Sequence, residues 1–341
     1  MSDLPAPSPV SEFKNVTREQ FETEIKPLGQ PAILRGLVAD WPVVAKANES
    51  DEALAQYVEG FSLEKQVEMF ILDAAKKGRF FYSDDLRGFN FDRRTAPLSK
   101  VLELLLRHRD DPGPQSFYAG AVNIPANLPD FTAQHPIPLL PPEEETLASI
   151  WLGNRTRTAP HWDLPQNIAC VVAGQRRFTL FPASQISNLY IGPLDFTLAG
   201  QPCSLVDLHA PDLKRFPKFS EAAKHAIVAD LNPGDALYIP SLWIHHVESL
   251  TPFGMLVNYW WREGPKHLIS PSFTLMHALL TLRDMPAAER AQWKHFFDHY
   301  IFNADAETLA HIPEPARGVF GEPTPALLSH LKKLLAAPLV R

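Results

Sequence analysis

The sequence contains little cysteine and no long run of charges of one sign. Cys170 and Cys203 are its only cysteines, and no Cys-x-x-Cys motif occurs, so neither a disulfide framework nor a thiolate zinc site is expected. The 32 basic and 39 acidic side chains give a formal net charge of −7, which argues against binding to the phosphate backbone of a nucleic acid. We therefore expect a reducing, cytoplasmic setting and no nucleic-acid partner.

Long apolar runs are absent as well. No stretch reaches the ~18 consecutive apolar residues that a membrane-spanning helix needs, and the first residues lack the basic and apolar regions of a signal peptide. Hydrophobic residues nevertheless make up 45% of the 341 residues and charged residues 21%, which excludes wholesale disorder. The composition predicts a folded, unexported protein with no membrane partner.

The patterning divides the chain into four segments. Residues 1–11 are rich in proline and serine, which is typical of a flexible tail. Residues 12–115 mix helix and strand patterns and are expected to pack on the following segment as α/β elements, with the clearest helix over 98–108. Residues 116–264 form a core of strands. Residues 265–341 form a helical region, with helix patterns over 271–281, 287–297 and 325–336.

Short strand patterns separated by turn signals fill residues 116–264. Strands are expected over 116–119, 149–152, 167–173, 177–181, 236–239, 243–249 and 255–261. Pro233-Gly234 is a turn between two of them, because proline fixes φ at the first central position and glycine accepts a positive φ at the next. This spacing predicts an antiparallel barrel or sandwich.

Two short motifs carry metal-ligand chemistry. In His161-Trp-Asp163, the histidine and the aspartate lie two residues apart, so on a strand their side chains share one face. His245 and His246 lie on a later strand, where only one of two adjacent residues can point inward with that pair. Two histidines and one carboxylate suit Fe(II) and leave open positions for a co-substrate and dioxygen, whereas a structural zinc site would have a fourth protein ligand.

The segments that carry these motifs resemble a known family. Residues 158–182, 233–249 and 257–260 are similar to the JmjC / cupin-like family of Fe(II)- and 2-oxoglutarate-dependent oxygenases. Within it, the sequence resembles the group that contains the asparaginyl hydroxylase acting on hypoxia-inducible factor, and bacterial cupin-like proteins. The resemblance implies a mainly β fold with flanking helices: a double-stranded β-helix, or jelly roll, with a C-terminal helical appendage.

The resemblance also implies roles for individual residues. His161, Asp163 and His245, the first of the two adjacent histidines, correspond to the iron ligands. Residues matching polar positions of the 2-oxoglutarate pocket and its surroundings are Thr158, Asn167, Asn258 and Tyr118. The family usually places lysine two residues after the glycine that corresponds to Gly174, where this chain has Arg176. One of Arg176 and Arg177 should enter the barrel, and the resemblance selects Arg176, whose guanidinium can hold a carboxylate through two hydrogen bonds.

Two functions are compatible with these residues. The first is an Fe(II)- and 2-oxoglutarate-dependent hydroxylase that uses dioxygen on a protein side chain or a small molecule, with succinate and carbon dioxide as co-products. The second is a metal-binding, cupin-like sensor or ligand-binding protein without oxygenase activity. Arg176 discriminates between them, because a cation in the pocket favours the oxygenase and a solvent-facing one favours the binding protein. An apolar wall that excludes water is expected from Phe80, Phe81, Tyr82, Trp243 and Trp260.

The C-terminal helices present an apolar stripe. Its members are Phe273, Met276, Leu279 and Leu280. Relatives in the family dimerise through such helices, so the resemblance implies a homodimer, while packing of the stripe on the chain's own barrel is the alternative.

Overall fold

The computed structural model describes residues 4–141 and 143–339. The chain divides into two compact units, with the division after Pro265. The first unit contains the strands and the second is helical. Within the described residues, no helix has the length and apolar character needed to cross a membrane.

The strands and helices have the following bounds. The strands are β1 (Ser8–Pro9), β2 (Ser11–Lys14), β3 (Ala32–Arg35), β4 (Gln66–Leu72), β5 (Arg79–Phe80), β6 (Asp92–Pro97), β7 (Ser116–Asn123), β8 (Leu147–Gly153), β9 (Arg157–His161), β10 (Gln166–Ala173), β11 (Arg176–Phe181), β12 (Ile227–Leu231), β13 (Ala236–Ile239), β14 (Ile244–Ser249) and β15 (Gly254–Trp261). The α-helices are α1 (Arg18–Gln20), α2 (Pro42–Glu49), α3 (Asp51–Glu59), α4 (Leu98–His108), α5 (Ile124–Asn127), α6 (Phe131–Gln134), α7 (Phe219–Lys224), α8 (Pro271–Thr281), α9 (Ala287–Phe297) and α10 (Pro325–Ala336). Short 3₁₀ or π turns cover Phe21–Ile25, Lys26–Leu28, Ala74–Lys76, Ala183–Asn188, Asp298–Phe302, Glu314–Ala316, Gly318–Phe320 and Ala337–Leu339.

Two mixed sheets build the first unit. One has six strands in the order β1-β12-β11-β14-β9-β5, and the other has nine in the order β2-β3-β13-β10-β15-β8-β7-β4-β6. Apart from the pairs β1/β12, β2/β3 and β5/β9, the neighbouring strands are antiparallel. The expectation of a mainly β jelly roll with flanking helices is confirmed.

The N-terminal strands belong to these sheets. β2, β3, β4 and β6 extend the nine-stranded sheet, so segment 12–115 adds strands to the core as well as packing on it. The expected tail over 1–11 is wrong for residues 8–11, because β1 pairs with β12 and Val10 is only 3% exposed. Residues 1–3 of that tail lie outside the described residues.

The alternation of β10 separates two apolar cores. Ile168, Cys170 and Val172 pack on one side of the strand, in the core shared with α2, α3 and α4. Ala169 and Val171 point to the other side, into a core that also contains residues of β11, β12 and β13. Because side chains alternate along a strand, Asn167 at the start of β10 shares the face of Ala169 and points into the barrel. The same alternation of side chains determines which residues of these strands face the candidate site.

The second unit consists of α8, α9 and α10 with short turns between and after them. The helix bounds predicted from the sequence match. α8 and α10 begin with a clear signal, because Pro271 and Pro325 stand at first helical positions, behind the capping side chains of Ser270 and Thr324. Several large apolar side chains of this unit are exposed, among them Phe273, Leu280 and Phe302.

Candidate metal and co-substrate site

Neighbouring strands bring two histidines and an aspartate together. His161 at the end of β9 is the antiparallel partner of His245 on β14, and their ring centroids lie 4.4 Å apart. Asp163 follows two residues after His161, with Oδ2 3.7 Å from Nε2 of His245. One potential ligand atom of each side chain lies within 4.8 Å of the others. We call these three residues the inner cluster.

The hydrogen bonds of both imidazoles leave the same nitrogen free. Nδ1 of His161 donates to the carbonyl oxygen of Ala159, and Nδ1 of His245 donates to that of Trp243, each at 2.9 Å. A carbonyl oxygen can only accept, so Nδ1 carries the proton and Nε2 keeps its lone pair. Fixing a ring through the nitrogen remote from the metal is typical of metal-ligating histidines.

The protonation state of His245 suits the same role. Burial and the neighbouring His161 lower its pKa to about 4. The ring is therefore neutral near pH 7, which is the form that binds a metal ion.

One cavity of about 380 Å³ contains every site residue singled out from the sequence. Its lining includes Tyr118, Thr158, His161, Asp163, Asn167, Arg176, His245 and Asn258. These residues come from both sheets, so the cavity lies in the barrel between them. The structure thus brings together side chains that are widely separated in the sequence.

Arg176 is a buried cation in this cavity. The residue is 3% exposed, and neither Nε nor Nη2 of its guanidinium has a hydrogen-bond partner among residues 4–141 and 143–339. Burial lowers its pKa to about 10, which still leaves it positively charged near pH 7. Burial raises the pKa of Tyr118 to about 12, so its hydroxyl is neutral. No carboxylate of the described part of the chain forms an ion pair with Arg176.

Two further polar groups of the cavity bond to each other. Nδ2 of Asn258 donates to Oδ1 of Asn167 at 2.6 Å, and both residues are buried. Trp151 and Trp260 line the same cavity with their rings edge to face, 5.7 Å apart. In the described part of the chain, the indole N–H groups of both lack an acceptor. Unpaired donors and a buried cation make the cavity suited to an anionic ligand rich in acceptors.

The predicted apolar wall is partly wrong. Phe80 and Trp260 line the cavity, but Phe81, Tyr82 and Trp243 do not. The hydroxyl of Tyr82 instead donates to the carbonyl oxygen of Phe196, and the indole N–H of Trp243 donates to that of Gly29. Phe81 follows Phe80 directly and belongs to a different apolar cluster, with Tyr82 and Cys203.

Several cavity residues were not predicted from the sequence. Additional lining residues are Phe70, Phe91, Leu198, Ala199, Gln201 and Cys203. Phe70 lies on β4, and a strand pattern alone does not show which face of the strand meets a cavity. Residues 198–203 have no periodic signal because they lie outside regular strands and helices. Their position is given by tertiary contacts, such as the isolated pairing of Cys203 with His161.

The jelly roll and the two-histidine, one-carboxylate cluster inside it define the JmjC / cupin-like class. The chain belongs to the cupin-like domain family, whose model matches residues 18–267. This confirms the family resemblance seen in the sequence, and the chain is accordingly an enzyme of the 2-oxoglutarate-dependent dioxygenase class.

Several named proteins are similar in sequence to part or most of the chain. It is 25% identical to mouse (Mus musculus) tRNA wybutosine-synthesizing protein 5 over 92% of each chain. It is 26% identical to Arabidopsis thaliana lysine-specific demethylase JMJ31 over 76% of this chain and 52% of the relative. It is 30% identical to the human (Homo sapiens) bifunctional peptidase and (3S)-lysyl hydroxylase JMJD7 over 53% of this chain and 64% of the relative. The chain thus spans about half the length of the Arabidopsis relative.

Proposed function

We propose that the protein is an Fe(II)- and 2-oxoglutarate-dependent hydroxylase. His161, Asp163 and His245 would hold the iron. Arg176 would pair with the remote carboxylate of 2-oxoglutarate, and the polar residues beside it would be Tyr118, Thr158, Asn167 and Asn258. When bound, the metal and the co-substrate supply oxidation of a substrate C–H bond by dioxygen, with succinate and carbon dioxide as co-products.

The observation that carries the proposal is the incompletely paired guanidinium of Arg176 in the cavity of the inner cluster. A buried charge without a counter-ion costs several kcal/mol, so the fold keeps one only where a partner can offset that cost. A carboxylate accepts two parallel hydrogen bonds from a guanidinium, which is the strongest neutralising contact available. A metal-binding sensor without an acidic co-substrate would have no use for this cation, so the oxygenase is favoured over the binding protein.

The protein's own contribution is orientation and exclusion of water. The carbonyl oxygens of Ala159 and Trp243 fix the two imidazole rings. The bond between Asn258 and Asn167 fixes both amides at the cavity wall. The aromatic side chains around them keep water from the reacting atoms, which limits side reactions.

The substrate class that we favour is a protein side chain, with a small molecule as the second choice. Two of the relatives above are named for action on lysine and one for synthesis of a modified tRNA base. A net charge of −7 repels a polyanion unless a local basic surface offsets it. The absence of a nucleic-acid partner stays a prediction, as does the cytoplasmic setting, which is consistent with the two free, buried cysteines.

The proposal is tested by anaerobic addition of Fe(II) and 2-oxoglutarate to the purified protein. We expect a visible metal-to-ligand charge-transfer band that saturates with 2-oxoglutarate, and its loss in Asp163→Ala. Asp230→Ala, which removes an exposed aspartate from β12, is the matched control and should keep the band. Absence of the band in the unmodified protein, or an unchanged band in Asp163→Ala, would contradict the assignment.

A further inference from the structure

We propose a second metal site, formed by His209, His246 and Glu248, which binds a divalent ion of the zinc type. We call these residues the outer cluster. The proposal does not depend on the function proposed above, because none of the three belongs to the inner cluster.

The strand geometry separates the two clusters. His245 points into the barrel, so the adjacent His246 points to the opposite face of β14. Glu248 lies two residues further and shares the face of His246. His209, from the connection that precedes α7, reaches this face from outside the strand.

The donor atoms of the outer cluster converge. Nε2 of His209 lies 2.5 Å from Oε1 of Glu248, and Nε2 of His246 lies 3.7 Å from Oε2. One potential ligand atom of each of the three residues lies within 4.8 Å of the others. In a tetrahedral zinc site with ligands at about 2.0–2.2 Å, neighbouring donors lie roughly 3.5 Å apart. The observed separations bracket that value, so small side-chain movements would complete the site.

His246 is the observation that points to a ligand. The residue is 5% exposed, and within the described residues no hydrogen bond of ordinary geometry reaches either ring nitrogen, although the backbone of Thr158 interacts with the ring. A buried polar group left unpaired costs roughly 1–3 kcal/mol. The bond between His209 and Glu248 does not relieve this cost, because it uses the other carboxylate oxygen. A metal ion between the three side chains would give Nε2 of His246 a partner.

Glu248 is not needed to neutralise the neighbouring cations, so its carboxylate is available as a metal ligand. Asp207 lies 3.5 Å from Nε of Arg79 and 3.9 Å from Nη1 of Arg157, so these two cations have a carboxylate of their own. Glu248 is mostly buried, whereas the side chain of His209 is 48% exposed. The exposed side gives an ion an entry path and a position for a water molecule as fourth ligand.

The outer cluster is placed to stabilise the cavity wall. The stretch that leads to His209 contains Cys203, which pairs with His161, and Ser204, whose N–H donates to the carbonyl oxygen of Pro160 at 2.7 Å. Gln201 and Cys203 line the cavity. A metal bound to His209 would fasten this stretch to β14, the strand that carries His245. The role we assign to the ion is this link between the stretch and β14, with three protein ligands and a water molecule instead of the four protein ligands of a closed structural zinc site.

The test uses the full chain without an affinity tag and zinc as the probe. After equilibrium dialysis against Zn²⁺, elemental analysis should find about two equivalents per chain in the unmodified protein and about one in His209→Ala. In the His161→Ala/Asp163→Ala background, which disables the inner cluster, about one equivalent should remain and should be lost when His209→Ala is added. Zinc should also raise the thermal midpoint of the unmodified protein more than that of His209→Ala.

Two variants separate metal binding from other effects. His225→Ala removes an exposed histidine that pairs with the carboxylate of Glu221 at 3.4 Å, and should bind zinc like the unmodified protein. Glu248→Gln keeps an acceptor for His209 but removes the charge, and should lose the second equivalent while circular dichroism stays unchanged. The proposal is overturned if the double-variant background holds no zinc, or if His209→Ala binds as much zinc as His225→Ala. If the His161→Ala/Asp163→Ala protein does not fold, the proposal is decided by the zinc content of His209→Ala and His225→Ala with the inner cluster intact.

Discussion

Arg176 and Arg177 are consecutive residues of β11 with opposite surroundings. The guanidinium of Arg177 lies on the exposed face and pairs with both carboxylate oxygens of Asp230, at 2.7 and 2.9 Å. The guanidinium of Arg176 is buried in the barrel, and two of its nitrogens have no partner within the residues that the structure describes. The pair provides a built-in control for any test of co-substrate binding.

Arg176→Gln should weaken 2-oxoglutarate binding. Loss of charged hydrogen bonds worth about 1.5–3 kcal/mol predicts a rise of roughly 10- to 100-fold in the KM for 2-oxoglutarate. The KM is measured from succinate formation, with Arg177→Gln as control. Arg176→Lys keeps the charge and should recover part of the loss. Equal KM values in the Arg176→Gln and Arg177→Gln variants would show that the buried guanidinium does not bind the co-substrate.

Asp163→Ala should weaken Fe(II) binding. Loss of a residue that only supports a ligand typically costs about 10- to 100-fold in metal affinity, and loss of a ligand itself should cost more. Anaerobic titration with a competing chelator measures the affinity, and Asp230→Ala should behave like the unmodified protein. Removal of the metal with excess chelator should abolish succinate formation, and added Fe(II) should restore it. Persistent turnover after metal removal would contradict the proposed role of the inner cluster.

The pH dependence of stability should include a contribution from His135. This residue is fully buried, Nδ1 donates to the carbonyl oxygen of Phe131, and Nε2 accepts from the backbone N–H of Val43. Burial lowers its pKa, with the bond to Phe131 acting in the opposite direction. The unfolded chain therefore binds more protons than the folded chain below about pH 6.5, so the free energy of unfolding should fall as the pH drops through that value.

Urea unfolding between pH 5 and 7.5 tests this contribution. A single group that titrates only in the unfolded chain adds a slope of at most about 1.4 kcal/mol per pH unit. His135→Gln should be less stable at pH 7.5, because the packing of the ring on Phe131 is lost, and should show a smaller slope. An unchanged slope would exclude His135 as a contributor.

Gly174 should be intolerant of a side chain. It connects β10 to β11 with a φ of 73°, and a Cβ atom there would meet Thr251 and lie 2.6 Å from the carbonyl oxygen of Phe253. The left-handed backbone costs a non-glycine residue roughly 1–2 kcal/mol, and overpacking adds about 1–3 kcal/mol. Gly200→Ala is the control, because its φ is also positive but its Cβ would meet no atom within 4 Å. Urea unfolding should show a larger loss for Gly174→Ala, and equal losses would contradict the steric argument.

The exposed apolar side chains of α8 should support a homodimer. Phe273 and Leu280 are 66% and 72% exposed, and burying such side chains between two copies would remove apolar surface from water. Light scattering of the unmodified protein should give the mass of two chains, and Leu280→Glu should shift it toward one. Glu289→Lys, an exposed charge reversal on α9, is the control. A mass of one chain for the unmodified protein would exclude the dimer.

Much of the barrel could be predicted, because its strands either alternate apolar and polar residues or are apolar throughout, and they end at turn residues. β13 and α4 have the predicted bounds, and most other core strands differ by a few residues. β6 was missed because four of its six residues are exposed and charged or polar. No helix was predicted at α2, where Pro42 occupies the first helical position, at which proline is tolerated.

The inner cluster could be proposed from spacing and family resemblance, since a strand fixes which side chains share a face. The outer cluster could not be found this way. His246 and Glu248 are close in sequence, but His209 comes from an irregular connection, and no periodicity predicts where such a stretch meets a strand. The same reason accounts for the cavity residues between Leu198 and Cys203.

β1 pairs with β12 through Ser8 with Ile227 and Pro9 with Val228. This pairing affects how the chain folds during its synthesis. A ribosome releases β1 long before β12, so β1 has no neighbour on this side until residues 227–231 have emerged. Strand pairs that are far apart in the sequence form late, because closing a long loop costs entropy before the new contacts offset that cost. Proteolytic trimming of a dozen N-terminal residues would accordingly uncover an edge of the six-stranded sheet and invite self-association through it.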